Sequence, residues 1–272
     1  MSQASQFATG EAVVVEIGGM AIALRTRDAS FRQLLENRYG GFVKTPPAPQ
    51  FDFDIDLFEP SETPHADEDV KVTLKGGEWL LQRGDFHARW DSKMGHGHIR
   101  QSRNPYAIDS VLRIVHTLIL AKQGGFLVHA ASAIRSGHAF LFAGVSGAGK
   151  TTISRLAPSD ATLLTDEISY VRRDRDVYVA CGTPFAGELA RVGENQWAPL
   201  STLFLLQKGP ENRIEPVAAP EAIRLLLRNI LFFADDAELV RLVFQSACEF
   251  VERVPVRRLT FVPDQRVWEM IR

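Results

Sequence analysis

Short strand-like runs of apolar residues mark most of the first hundred positions, and long helical periodicity appears after residue 104. Ala12–Ile17 and residues 20–24 flank Gly18-Gly19, and Phe51-Asp52-Phe53-Asp54-Ile55-Asp56-Leu57 alternates without a break. Shorter runs at 70–74 and 79–82, punctuated by Gly76-Gly77 and Gly84-Asp85, continue the strand pattern and predict an antiparallel sheet. Ser30 stands where an N-cap would open a short helix through Tyr39, stopped by Gly40-Gly41 and the Pro46-Pro47 loop. Residues 1–103 therefore read as a strand-rich N-terminal region, a candidate for substrate or partner binding.

Asn104-Pro105 begins the clearest helix, with Asn as N-cap, Pro at the first helical position, and Ile108, Val111, Leu112, Val115, Leu118 and Ile119 along one face. Gly124-Gly125 ends it. Beyond lies a predicted α/β unit, giving a second region of 104–272. Strands are expected at 126–134, His138–Ala143, Ala161–Thr165, 202–206 and 257–262, and helices from Lys150, at 220–233 and at 236–253, before a terminal turn through Trp268. The fold class is α/β, or α+β over the whole chain.

Composition narrows the function. The 272 residues are 45% hydrophobic, as in an ordinary packed protein, and 31 Lys+Arg against 33 Asp+Glu leave a formal net charge of -2. No field of one sign covers the whole surface to recruit nucleic acid or an anionic membrane, which leaves room only for a local basic patch. Cys181 and Cys248 are far apart and lack metal-site spacing, which favours a reducing compartment over a disulfide framework. Residues 1–10 are polar, and no run reaches the ~18 apolar residues of a membrane helix. The expectation is a cytoplasmic protein, with a homo-oligomer left open.

The chemistry is concentrated in Gly144-Val145-Ser146-Gly147-Ala148-Gly149-Lys150-Thr151, followed by Thr152: a G-x-x-x-x-G-K-[ST] loop between an apolar strand, residues 140–143, and a helical segment. Such a loop turns consecutive N–H groups toward phosphate, with a helix dipole behind it. In that arrangement Lys150 bridges the β- and γ-phosphates and the Thr151 hydroxyl sits on Mg²⁺. Asp166-Glu167 close the strand that ends at Thr165, and ligands gather at the carboxyl ends of strands, so one acid would hold Mg²⁺ and the other would accept a proton. His129 lies in the small, apolar strand Leu127–Ala133, where a buried imidazole needs a partner, and Asp166 is a candidate. Gly182-Thr183-Pro184-Phe185-Ala186-Gly187-Glu188 is a turn-rich loop suited to substrate contacts or to an ordinary turn. Arg191, Arg224 and Arg228 are candidates for steadying transition-state charge, while Gly95-His96-Gly97-His98 reads as a hairpin tip rather than a metal site.

His129, the Gly144–Thr151 loop and Leu163-Leu164-Thr165-Asp166-Glu167, taken together, resemble the catalytic domain of HPr kinase/phosphorylase. Its phosphoenolpyruvate carboxykinase-like P-loop core is the implied nucleotide-binding fold. The resemblance covers roughly 124–262, is strongest over 126–170, and does not extend to 1–100. The chain looks more like stand-alone HPr-kinase-like proteins, some associated with modified-peptide biosynthesis. The resemblance implies ATP and Mg²⁺ as cofactors, Gly144 to Thr152 as nucleotide-binding, Thr151, Asp166 and Glu167 as metal-binding, and His129, Lys150 and Asp166 as catalytic. It implies transfer of the γ-phosphoryl group to a hydroxyl of a peptide, small protein or small molecule, a serine being the first choice. Asp-Glu replaces the family's usual Asp-Asp, which keeps metal binding but lengthens the second side chain; no arginine-glycine-asparagine segment is found near the carboxyl end, so the resemblance does not by itself imply HPr as acceptor or a reverse phosphorylase activity. The competing class is a non-catalytic nucleotide-sensing module. Carboxykinase chemistry would need ligands this chain does not display.

Overall fold

The computed structural model describes residues 11–44, 49–58, 69–189 and 192–272. They fall into two compact units: 1–114 with 233–236, and 115–232 with 237–272. The division lies inside a helix, Pro105–Gln123, instead of ahead of it at 103/104. The architecture is mixed α/β with two sheets.

The first unit is built on β1 (Ala12–Ile17), β2 (Met20–Thr26), α1 (Ala29–Tyr39), β3 (Phe51–Leu57), β4 (Lys71–Lys75), β5 (Glu78–Arg83), β6 (Phe86–Asp91) and β7 (His96–Gln101). Its seven strands are ordered β1-β2-β3-β7-β6-β5-β4, and β3 runs parallel to both β2 and β7. The sheet is thus mixed, not antiparallel as expected: α1 carries the chain back between β2 and β3, and a helical crossover makes the strands it joins parallel. Asp28, not Ser30, caps α1, accepting from the Phe31 N–H at 2.8 Å; the Ser30 hydroxyl donates to the same carboxylate. The Pro46-Pro47 loop and residues 1–10 lie outside the described residues. In β3, Phe53 and Ile55 are buried, while Asp52, Asp54 and Asp56 stand in register with His96, His98 and Arg100 of β7. His96 and His98 therefore sit in a strand beside carboxylates, with Gly95 at the turn, and not at a hairpin tip. Among the described residues, no group of His, Cys, Asp and Glu forms a metal cluster.

The helix α2 (Pro105–Gln123) is capped as expected, Asn104 Oδ1 accepting from the Tyr106 N–H at 3.0 Å. The second unit follows with β8 (Phe126–Arg135), β9 (His138–Ala143), α3 (Lys150–Arg155), β10 (Ala161–Thr165), β11 (Ile168–Asp174), β12 (Val177–Cys181), β13 (Trp197–Lys208), β14 (Arg213–Pro216), α4 (Ala219–Leu227), β15 (Ile230–Leu231), α5 (Ala237–Arg253) and β16 (Val256–Phe261). The expected helix at 220–233 stops at Leu227, and Ile230–Leu231 pair instead with β8. The β11–β12 hairpin and β14 had no clear signal, and β13 is longer than the 202–206 run.

In this nine-stranded sheet β9 lies between antiparallel β8 and parallel β13, and β13 is parallel to β16. Both faces of β9 are covered, which explains its unbroken apolar run. Ala139, Leu141 and Ala143 join a core with Leu226, Ala247 and Phe250, while Phe140 and Phe142 pack with Ile153, Phe204, Phe261 and Trp268. β8 divides its length: residues 126–129 pair with β11 and residues 130–135 with β9. Cys181 and Cys248 are free thiols.

Candidate functional site

The Phe140 and Phe142 face of β9 helps to hold the loop that leaves its end, packing with Ala148, Ile153 and Phe261. Gly147 (φ 77°) and Gly149 (φ 113°) take left-handed backbone that other residues resist, and a Cβ on Gly149 would stand 2.6 Å from the Phe261 ring. Ala148 is buried beneath the loop, Gly144 is closed in by it, and the Ala148 N–H donates to Val145 O at 3.0 Å. Ile153 N–H to Gly149 O, 2.8 Å, then starts α3. α3 has only six residues, so its dipole is short.

The Lys150 ammonium folds back onto the carbonyls of Gly144 (2.9 Å) and Val145 (3.4 Å). Desolvation lowers its pKa, opposed by the nearby charges of Glu167 and Glu188. The Thr151 hydroxyl donates to Glu188 Oε2 at 3.0 Å.

Opposite the loop, β10 ends at Thr165, whose hydroxyl accepts from the N–H groups of Glu167 and Ile168, both at 3.3 Å, and turns the chain at the acid pair. Asp166 is buried, with one carboxylate oxygen accepting from the Gly187 N–H and the other from the Leu189 N–H, each at 2.9 Å. The loop can come that close only because residue 187 is glycine: a Cβ there would lie 2.9 Å from Asp166 Oδ2 and 2.8 Å from Glu167 Cβ. Thr183 and Glu194 donate backbone N–H groups to Leu164 and Leu163, which ties both residues to β10.

One cavity of about 290 Å³ gathers Ser146, Gly147, Gly149, Lys150, Thr151 and Thr152 from the loop with His129, Asp166 and Glu167 from the strands. Gly144 and Val145 line a second cavity of about 560 Å³, which shares His129, Ser146 and Lys150 with the first. The His129 side chain is exposed and its backbone N–H donates to Asn229 O at 2.7 Å, so the premise of a buried imidazole does not hold. Arg228 lines the second cavity, Arg224 lines neither, and Arg191 lies outside the described residues.

The model of a family described as SynChlorMet cassette protein ScmC matches residues 101–272, which include this whole constellation. The chain belongs to the ScmC family. No curated protein matches it. Among solved structures, the HPr(Ser) kinase/phosphatase from Coxiella burnetii aligns at 11% identity over 53% of this chain and 85% of that one, with a TM-score of 0.30, a superposition too loose to bear on activity. No described helix of the ScmC-family chain is long and apolar enough to cross a membrane.

Two residues of the smaller cavity in this ScmC-family chain were not singled out from sequence, Glu188 and Lys208. Glu188 stood in a recognised loop, yet nothing local says that the loop folds over an acid pair 21 positions earlier, the separation of Gly187 from Asp166. Lys208 had a usable signal: it ends β13, which runs parallel to β9, and parallel neighbours bring their carboxyl ends together.

Proposed function

We propose that this chain is an ATP-dependent phosphotransferase that moves the γ-phosphoryl group to a hydroxyl, first of all a serine of a peptide or small protein. The observation that carries the reading is the convergence of the Lys150 ammonium, the Thr151 hydroxyl and the carboxylates of Asp166, Glu167 and Glu188 on one cavity beside His129. The cavity has cationic and N–H donors for a polyphosphate, hard oxygen donors for its counter-cation, and an imidazole for the acceptor's proton.

The donors suit Mg²⁺. Thr151, Asp166, Glu167 and Glu188 offer only oxygen, the donor type that Mg²⁺ prefers. When bound, Mg²⁺ supplies charge neutralisation at the phosphate oxygens. Lys150, seated at the start of the loop, pairs with the β- and γ-phosphates. Asp166, which accepts from two N–H groups, orients the site and keeps the 187–189 segment in place. His129, solvent-accessible and common to both cavities, is the better placed of the two to take the hydroxyl proton, with Asp166 supporting its charge.

The test is transfer from γ-labelled ATP to serine peptides and to water by the wild type, Lys150→Ala and Asp166→Ala. The expected loss is on the order of 100-fold or more for each variant. Equal turnover by all three sinks the assignment, and tight ATP binding without consumption by any acceptor or by water points to the nucleotide-sensing alternative.

A further inference from the structure

We infer that the larger cavity, about 560 Å³, seats the phosphoryl acceptor, and that this acceptor carries an apolar group and a carboxylate close to its hydroxyl; the inference rests on the phosphotransferase reading. The argument begins with direction. Lys150 places its ammonium at the start of the loop, against the Gly144 and Val145 carbonyls, whereas Thr151 and Thr152 lie at the other end among the carboxylates. A polyphosphate whose terminal group meets Lys150 therefore presents that group toward Gly144 and Val145. There the larger cavity opens, with His129 at the junction of the two.

The far wall of that cavity states what it takes. Leu205 and Leu225 provide apolar surface. Arg258 also reaches it, but Glu221 accepts from its guanidinium at 2.7 Å and neutralises it. Arg228, at the end of α4, is exposed and pairs with no carboxylate among the described residues. An uncompensated planar guanidinium beside apolar surface favours a carboxylate, which it holds with two parallel hydrogen bonds. The volume suits a short peptide segment. In the reaction the acceptor oxygen bonds to the γ-phosphorus as the bond to the β–γ bridging oxygen breaks. ADP leaves with that electron pair, and the hydroxyl proton passes to His129.

The probe is N-acetyl-leucyl-serine with a free carboxylate, compared with its carboxyl-terminal amide. Each is titrated calorimetrically into the full chain loaded with Mg²⁺ and a β,γ-imido ATP analogue. The acid is expected to bind wild type about tenfold more tightly than the amide, and Arg228→Gln is expected to erase that difference while analogue affinity changes by less than about twofold. Equal binding of acid and amide by wild type overturns the inference. So does an Arg228→Gln variant that loses the analogue and keeps the acid–amide difference, which would make this cavity the nucleoside's seat. If wild type does not bind the analogue, the phosphotransferase reading fails by itself, and the same comparison without nucleotide still decides what the cavity prefers.

Discussion

At the scale of single residues, burial of titratable groups sets measurable behaviour. His116 of α2 is fully buried with neither ring nitrogen hydrogen-bonded, edge-on to Tyr170 at 5.5 Å, and desolvation pushes its pKa down to about 3. The unfolded chain takes up a proton near pH 6.5 that the folded state refuses, so stability is whole above that pH and declines as pH falls toward 3, by about 1.4 kcal/mol per unit. Urea unfolding at pH 7 and pH 5 should show wild type losing about 2 kcal/mol more than His116→Phe, which keeps the ring contact without the proton. Parallel losses in the two proteins would remove His116 as the cause. Gly187 offers a second case. Gly187→Ala pushes its loop off Asp166, breaks a hydrogen bond to a buried carboxylate, and should cost about 1–3 kcal/mol with far-ultraviolet dichroism unchanged.

Elements pass the same logic on to the loop. The carboxyl-terminal segment, Gln265–Met270, contributes Trp268, whose indole N–H donates to Ile153 O of α3 at 3.0 Å and whose ring meets Phe142 of β9 edge-on at 5.5 Å. Arg135 of β8 bonds the Trp268 and Ile271 carbonyls, fixing that segment. The strand before the loop and the helix after it thus share one clamp. Trp268→Ala should cost about 3–5 kcal/mol and weaken nucleotide binding, whereas Val240→Ala on the exposed face of α5 should stay within about 0.5 kcal/mol. Thermal denaturation of both variants, with and without Mg·ATP, separates a clamp from ordinary core. Much at this scale was legible: Asn104-Pro105, the apolar run of β9 and the glycine loop are local signals, readable from neighbours one turn or two residues away. The end of α4 was not, because Leu227 gives way to β15 only when β8 is there to pair with it.

For the molecule as a whole, a ligand that binds only the folded state raises its stability. At free Mg·ATP 100-fold above Kd the gain should be about 2.7 kcal/mol, read as a higher Tm and abolished by EDTA or by Lys150→Ala. An identical Tm in every condition counts against nucleotide binding. Residue order alone determined the apolar pattern, the Asn104 cap, and the presence of Lys150, Thr151, Asp166 and Glu167 near strand ends, since each follows from interactions only a few positions apart. Tertiary structure decided which strands became neighbours: β3 parallel to β2 and β7, and β8 shared among β9, β10, β11 and β15. It also decided that Asp166 spends both oxygens on Gly187 and Leu189 and that Glu188 meets Thr151. These are pairings between residues far apart in the chain, favoured only once hydrogen-bonding edges and apolar faces compete for one another in the closed fold, and no local pattern encodes their outcome.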